Sequence, residues 1–343
     1  MKIRTYLAKV FDGMAKGLFA SLIIGVIIKQ IGDYTGIAAL QTFGQAAQFL
    51  MGPAIGAGIA LSRKAPMFTL LAAIAAGAIG AGSIQFLEHA GVWGARVGDP
   101  IGALLAALIG IEIGKKLEGK TKFDLLIIPA LVILSATLVG VFISPPVARF
   151  MELLGNSVNR LTDLQPIPLG ILIGISVGMI LTSPISSAAL CIGIQIGGPL
   201  VTDSSIAAGA ALAGCCAQMI GFAVISFREN KWSGLISQGL GTSMLQMPNI
   251  IKNPWVWLPP TIASGVGGFL SAVVFGMRTN STGAGMGTSG LVGPFTAYAA
   301  MEGGRSTVAA IAAVHFISPA VVSLIVCELM RKRGLIKFGD LRL

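Results

Sequence analysis

The sequence predicts an all-α polytopic membrane protein of about ten transmembrane helices, with re-entrant or broken helices among them and an inverted repeat as its plan. Three observations carry this prediction. The chain of 343 residues is 54% hydrophobic and only 11% charged, a composition that belongs to bilayers rather than to soluble cores. Apolar stretches long enough to cross about 30 Å of hydrocarbon recur from residue 14 to residue 330, and no long polar block separates them. Finally, similar sequence runs recur at a near-constant offset.

Taken in order, the expected spans are roughly 14–32, 38–61, 67–87, 99–114, 125–145, 167–182, 185–201, 205–226, 255–277 and 307–330. The opening MKIRTYLAKVFDGMAKG is basic and amphipathic and lacks a short apolar run with a small-residue cleavage site, so the first helix is expected to stay in the protein. Basic residues collect at Arg63-Lys64, across Lys115–Lys122, at Arg228 and Lys231, and at Arg331-Lys332-Arg333, all beside apolar segments. Positive charge at helix ends marks the cytoplasmic side, which places both termini there and accounts for the net charge of +10 without nucleic acid. Stretches 234–251 and 279–304 are too polar and glycine-bearing for ordinary spans. Non-helical backbone at membrane depth survives only when it is buried in protein or lines a watery cavity, so these read as re-entrant hairpins or broken helices. If one of them crosses, the count becomes eleven.

The repeat is read from three matches. Pro53 in LMGPAIGAGIAL precedes Pro184 in LTSPISSAALCI by 131 positions, AAGAIGAG at 75–82 precedes AAGAALAG at 207–214 by 132, and IIPA at 127–130 precedes WLPP at 257–260 by 130. One integral membrane domain over 1–343 follows, with repeat halves 14–150 and 155–280 and a C-terminal re-entrant segment and helix over 281–330. Inverted repeats are the plan of secondary transporters, whose substrate sits near the midplane where broken elements meet.

The run GAGMGTSGLVG at 283–293 has the glycine spacing of a dinucleotide loop but neither the preceding strand nor the βαβ context. A tight bend inside the membrane is the better reading, with Thr288 and Ser289 bonding freed backbone groups. The same triplet recurs as Gly241-Thr242-Ser243 within QGLGTSMLQMPN, where Gln246 and Asn249 add amides. Two such breaks suggest two hairpins facing one cavity, and hydroxyls with amides suit a neutral polyhydroxy ligand better than an ion. Ser183 and Ser186 flank a Ser-Pro helix break, Gln195 and Gln218 are mid-span amides that are costly unless paired, and His315 is the single histidine of the expected spans. Beyond the second break, VGPFTAYAAMEGGR reads as a half-helix ending at Glu302, a carboxylate able to accept from substrate hydroxyls. The bland alternatives are a Glu302–Arg305 surface pair, kink serines bonding their own helix, and amides and an imidazole acting as helix glue. Glu112 is expected to snorkel beside Lys115 and Lys116. Cys191, Cys215, Cys216 and Cys327 read as small buried hydrophobes. No Walker loop or His/Cys metal cluster is written in the chain; it calls for no cofactor, no metal and no enzyme activity of its own.

The runs TSPISSAAL, GCCAQMIGFAVISFRENKWSG, QGLGTSMLQMPNIIKNP and GAGMGTSGLVGPFTAY resemble the membrane-embedded IIC component of the bacterial phosphoenolpyruvate-dependent sugar phosphotransferase system, in its single-domain branch with the perfringolysin O regulator-like proteins. The resemblance covers nearly the whole chain. It implies a homodimeric multi-helix permease of the bacterial inner membrane that binds a sugar and works with separate cytoplasmic IIA and IIB phosphocarriers. The glutamate and histidine that better-studied sugar IIC proteins carry in the pocket have no matching motif here, so Glu302 and His315 enter by residue type alone. The expected function is a sugar permease working by alternating access. The rivals are a membrane sensor acting through a cytoplasmic partner and a gradient-driven carrier of small solutes.

Overall fold

In a computed structural model the protein is described over residues 3–87, 91–120, 122–142, 144–198 and 204–343. It is almost wholly helical and divides into two compact units, Met1–Phe150 and Met151–Leu343. Among the described residues, five helices are long and apolar enough to cross a membrane: Ile3–Thr35, Asp124–Phe142, Ile206–Ile225, Pro254–Val274 and Arg305–Lys332. Shorter apolar helices run over Met51–Ser62, Met67–Ala81 and Pro166–Thr182. The all-α polytopic class expected from the sequence therefore holds.

Lipid tails are as apolar as leucine, so helices inside a bilayer associate through close packing of small residues rather than through the hydrophobic effect. Both units are built this way. In the first, Gly13 and Gly17 of the opening helix lie against Gly58 and Ala54, Gly56 against Ala73, and Gly80 against Gly102. In the second, Gly170, Gly174 and Gly178 form a small-xxx-small ladder on Pro166–Thr182 that meets Gly268, Ser264 and Gly214. A Cβ added at Gly214 would lie 1.9 Å from the Gly174 carbonyl oxygen, so the two backbones touch.

The charges of the first unit cluster at helix ends. Arg63 lies 2.9 Å from Glu112, Tyr6 donates its hydroxyl to the same carboxylate oxygen at 2.9 Å, and the guanidinium sits 4.1 Å from the Tyr6 ring centroid. Glu112 thus pairs across helices instead of snorkelling beside Lys115 and Lys116, because Lys115 donates to the Arg63 carbonyl. Glu118 caps the neighbouring helix, accepting from the backbone of Phe68 at 3.0 Å and of Thr69 at 2.9 Å.

Several expected spans take a different form in the structure. The stretch 38–61 is two helices, Ala38–Phe49 and Met51–Ser62, interrupted at Leu50, because Pro53 at the start of the second helix lacks the N–H that a continuous helix would use. The stretch 67–87 ends as a helix at Ala81, where Gly82 takes a left-handed φ of 62°, and continues as an antiparallel hairpin of strands Ile84–Leu87 and Val92–Ala95 with Phe86 opposite Trp93. The stretch 185–201 contains only the seven-residue helix Ser187–Gly193; residues 199–201 lie outside the described ones. An amphipathic helix, Ser144–Leu161, occupies a stretch that the sequence reading leaves without an element.

Among the described residues, four π-helical segments interrupt the helices, at Phe19–Ile23, Ser237–Gly241, Leu270–Val274 and Ala312–Ile317. Each carries one buried polar side chain: Ser21, Gln238, Ser271 and His315 respectively. An extra residue in a turn releases a backbone carbonyl from the ladder, and such bulges concentrate at functional sites.

Candidate functional site

The second unit is organised around the helix Ile206–Ile225, buried along nearly its whole length. Its sequence, rich in Ala and Gly, lets three helices approach, and its amide side chain, Gln218, is fully buried among them. The cost of burying an amide is removed by bonding all of it. Its Oε1 accepts from Thr182 Oγ1 at 3.0 Å and from Trp257 Nε1 at 3.1 Å, while Nε2 donates to Ser264 Oγ at 3.2 Å and Thr261 Oγ1 at 3.3 Å. Thr182 Oγ1 in turn lies 2.7 Å from Ser243 Oγ. Gln218 therefore ties the end of Pro166–Thr182, the helix Pro254–Val274 and the first Gly-Thr-Ser break into one network.

The two breaks touch. The first consists of the π segment Ser237–Gly241 and a 3-10 turn, Ser243–Gln246, whose Thr242 accepts from Met244 N at 3.2 Å. The second turns through left-handed backbone at Gly287, Gly290 and Leu291, with φ of 57°, 53° and 60°. Thr288 of the second donates to the Gly239 carbonyl of the first, and its Oγ1 lies 3.5 Å from Met219 Sδ. Gly287 packs against Cys215 and Met219, which leaves no room for a side chain. Both breaks therefore rest on the same central helix.

Most polar atoms here are already bonded within the protein, which separates structure from opportunity. Among the described residues the exceptions in this unit include Ser289 Oγ, Ser271 Oγ, Ser323 Oγ and both ring nitrogens of His315, all buried without a protein partner. His315 is fully buried, and its π segment also packs on the central helix. Buried groups of this kind are rare and need an explanation.

The other residues singled out from the sequence fall elsewhere. Ser183 donates to the Ile180 carbonyl at 2.7 Å, and Ser186 caps the Ser187–Gly193 helix by accepting from Ala189 N. Gln195 is exposed in a turn at φ 53°, a correction to its expected mid-span place: the helix before it ends at Gly193 and is too short to cross. Glu302 is exposed at φ 58°, just past the half-helix Val292–Ala300. Gln246 and Asn249 bond each other at 2.8 Å and direct their remaining amide protons to Gln238 and to the carbonyls of Leu341 and Arg342. Sequence reasoning misses Thr182, Gln238 and Ser187, the last of which bonds the Gly285 carbonyl at 2.7 Å. The signal is present in each case: a polar residue at a helix end or within a glycine-bearing run.

A helical membrane unit that buries hydroxyls and amides around two broken elements, with its buried carboxylate Glu229 paired to Arg331 at 2.8 Å, has the make-up of a polytopic transport protein. The family model described as Phosphotransferase system, EIIC matches residues 8–343, and the chain belongs to this family. No curated protein matches the chain. The protein is the sugar permease component of a phosphotransferase system, a multi-pass membrane protein that serves as transport component while separate IIA and IIB proteins carry out phosphoryl transfer.

Proposed function

We propose that the second unit binds the sugar at the paired Gly-Thr-Ser breaks and that the permease works by alternating access. The observation that carries this reading is the set of buried hydrogen-bonding groups without protein partners, Ser289 Oγ and the two nitrogens of His315, on segments packed against one helix. An imidazole offers one donor and one acceptor and a hydroxyl offers both, the complement of a sugar's vicinal hydroxyls. Thr288, through Gly239, and Ser243, through Thr182 and Gln218, hold the two breaks in place, whereas Gln246 and Asn249 bond Gln238 and the 341–342 backbone, Ser183 and Ser186 bond at helix ends, and Gln195 and Glu302 are exposed. The alternative roles of sensor and gradient-driven carrier predict uptake without the phosphocarriers, or none at all.

The test is sugar uptake and phosphorylation in vesicles supplied with IIA and IIB proteins, across a panel of labelled sugars. His315→Phe is expected to lower apparent affinity about 10- to 100-fold and Ser289→Ala about tenfold, from the loss of two and one hydrogen bonds at roughly 1 kcal/mol or slightly more each. Unchanged uptake in both variants defeats this site.

The finer assignments follow the same reading. Basic loops favour cytoplasmic termini in the bacterial inner membrane, and the near-constant sequence offset, with a division of the chain at Phe150, supports repeat halves 14–150 and 155–280 followed by 281–330. Family resemblance supports a homodimer and the perfringolysin O regulator-like branch.

A further inference from the structure

Residues 335–343 fold back from the end of the Arg305–Lys332 helix onto an amide-rich surface of the second unit. Ile336 and Leu341 are buried in an apolar cluster with Phe222, Ile225 and Ile250. Between and around them the backbone is held by side-chain amides. Leu341 O accepts from Asn230 Nδ2 at 2.8 Å and Gln246 Nε2 at 3.0 Å, Arg342 O from Asn249 Nδ2 at 2.9 Å, and Leu335 O from Asn253 Nδ2 at 3.0 Å. Asn230 Oδ1 accepts from Leu343 N at 2.9 Å.

The segment is held as a compact run of turns, with Asp340 N bonded to the Lys337 carbonyl at 3.1 Å, Asp340 Oδ2 accepting from Lys337 N at 2.8 Å and from Asn253 Nδ2 at 2.9 Å, and Gly339 at φ 98°. Main-chain groups bonded by side-chain amides, with two spaced apolar anchors, are the means by which a short peptide is recognised. Bonds from uncharged amides are individually modest, and Lys337, Phe338 and Gly339 between the anchors are exposed. The segment leaves its helix through Gly334 at φ 72°, a left-handed joint that glycine adopts without strain.

We propose that Asn230, Gln246, Asn249 and Asn253 form a peptide-binding socket whose resident occupant, residues 335–343, dissociates and exchanges with a free turn-forming peptide carrying two apolar side chains five positions apart. Occupancy reaches the first break. Gln246 gives one N–H to Leu341 O and the other to Gln238 Oε1 at 2.9 Å, and Gln238 lies in the π segment whose Gly239 carbonyl receives Thr288. Release of the tail frees a Gln246 N–H beside the breaks and alters solute handling; this second step rests on the breaks being the solute site.

The experiment uses the full chain with Leu341→Cys, since the native cysteines are all buried. The rate of thiol labelling is measured alone, with excess synthetic peptide LIKFGDLRL, and with a control peptide bearing aspartate in place of both anchors. Labelling is expected to be slow alone, at least tenfold faster with the native peptide, and unchanged with the control; Asn230→Ala with Asn249→Ala should accelerate it without peptide. Ile336→Cys is a second reporter in case Leu341→Cys itself loosens the segment. Labelling that stays slow under peptide and in the double variant for both reporters overturns the socket, as does labelling that is fast for both in the parent chain. Sugar uptake is read in parallel: accelerated labelling with unchanged uptake overturns the coupling alone, and uptake absent even from the parent chain overturns the transport reading while the labelling result stands.

Discussion

The two units solve the problem of polar groups in an apolar chain in different ways. The first keeps its interior largely to Ala, Gly and aliphatic residues and gathers charge at helix ends, where Arg63, Glu112 and Tyr6 pair and Glu118 caps a helix. The second also pairs charge at helix ends, Arg331 with Glu229 at 2.8 Å, but in addition buries uncharged amides and hydroxyls among its helices, with Gln218 satisfied four times over. An ionised group at depth costs several kilocalories per mole, whereas an amide costs little once all its bonds are made. What differs is therefore the hydrogen-bonding capacity of each interior: the hydroxyls and amides of the second unit are groups of the kind that bond a sugar's hydroxyls. The packing beneath is the same in both units, since glycines set backbones in contact in each.

That comparison can be broken at its strongest point first. Gly214→Val places methyl groups where the Gly174 carbonyl already stands; the second unit is expected to lose more than about 3 kcal/mol by overpacking, read as loss of folded protein by size-exclusion chromatography in detergent. Gln218→Leu leaves Trp257 Nε1 without its partner and takes one bond each from Thr182 and Ser264, which keep Ser243 and the Gly214 and Pro260 carbonyls, and a loss of about 1–3 kcal/mol is expected, measured as a lowered thermal midpoint. His315→Phe and Ser289→Ala should leave that midpoint near the parent value while weakening uptake, which separates binding groups from structural ones inside the same unit. Smallest is Glu112→Gln in the first unit. Its side chain is a third exposed, so removing the ion pair should cost about 1 kcal/mol or less and leave uptake unchanged; a larger effect on uptake would mean that the charged cluster does more than join helix ends.

Much of the architecture is legible in the residues themselves. The long apolar runs, the interruptions at 234–251 and 279–304, and the pairing of the two Gly-Thr-Ser runs follow from residue type and spacing, and the Thr288 bond to Gly239 makes that pairing a contact. The misses have physical causes. Ile84–Leu87 and Val92–Ala95 are too short for their alternation to stand out from the apolar helix that leads into them. Ser144–Leu161 mixes Arg149, Glu152 and Arg160 with its apolar face, so it reads as a loop unless its period is followed. Gln195 reads as mid-span because the count of apolar residues continues past Gly193, although the helix does not. The tail on Gln246 and Asn249 involves residues more than ninety positions apart, which no local pattern announces.

The π segment around His315 has one more consequence. Such a segment holds one residue more than a regular helix needs, so it can lose one and still close its turns. Deleting Ala313 would turn Ala312–Ile317 into plain α-helix with the two ends of the Arg305–Lys332 rod still in register, whereas converting the segment to α-helix with all its residues kept would rotate one side against the other by about 100°, the angle of a single residue. Through such a joint a helix can change which face it presents by shifting register, without unwinding, and three of the joints among the described residues lie in the unit that holds the sugar-binding residues proposed above.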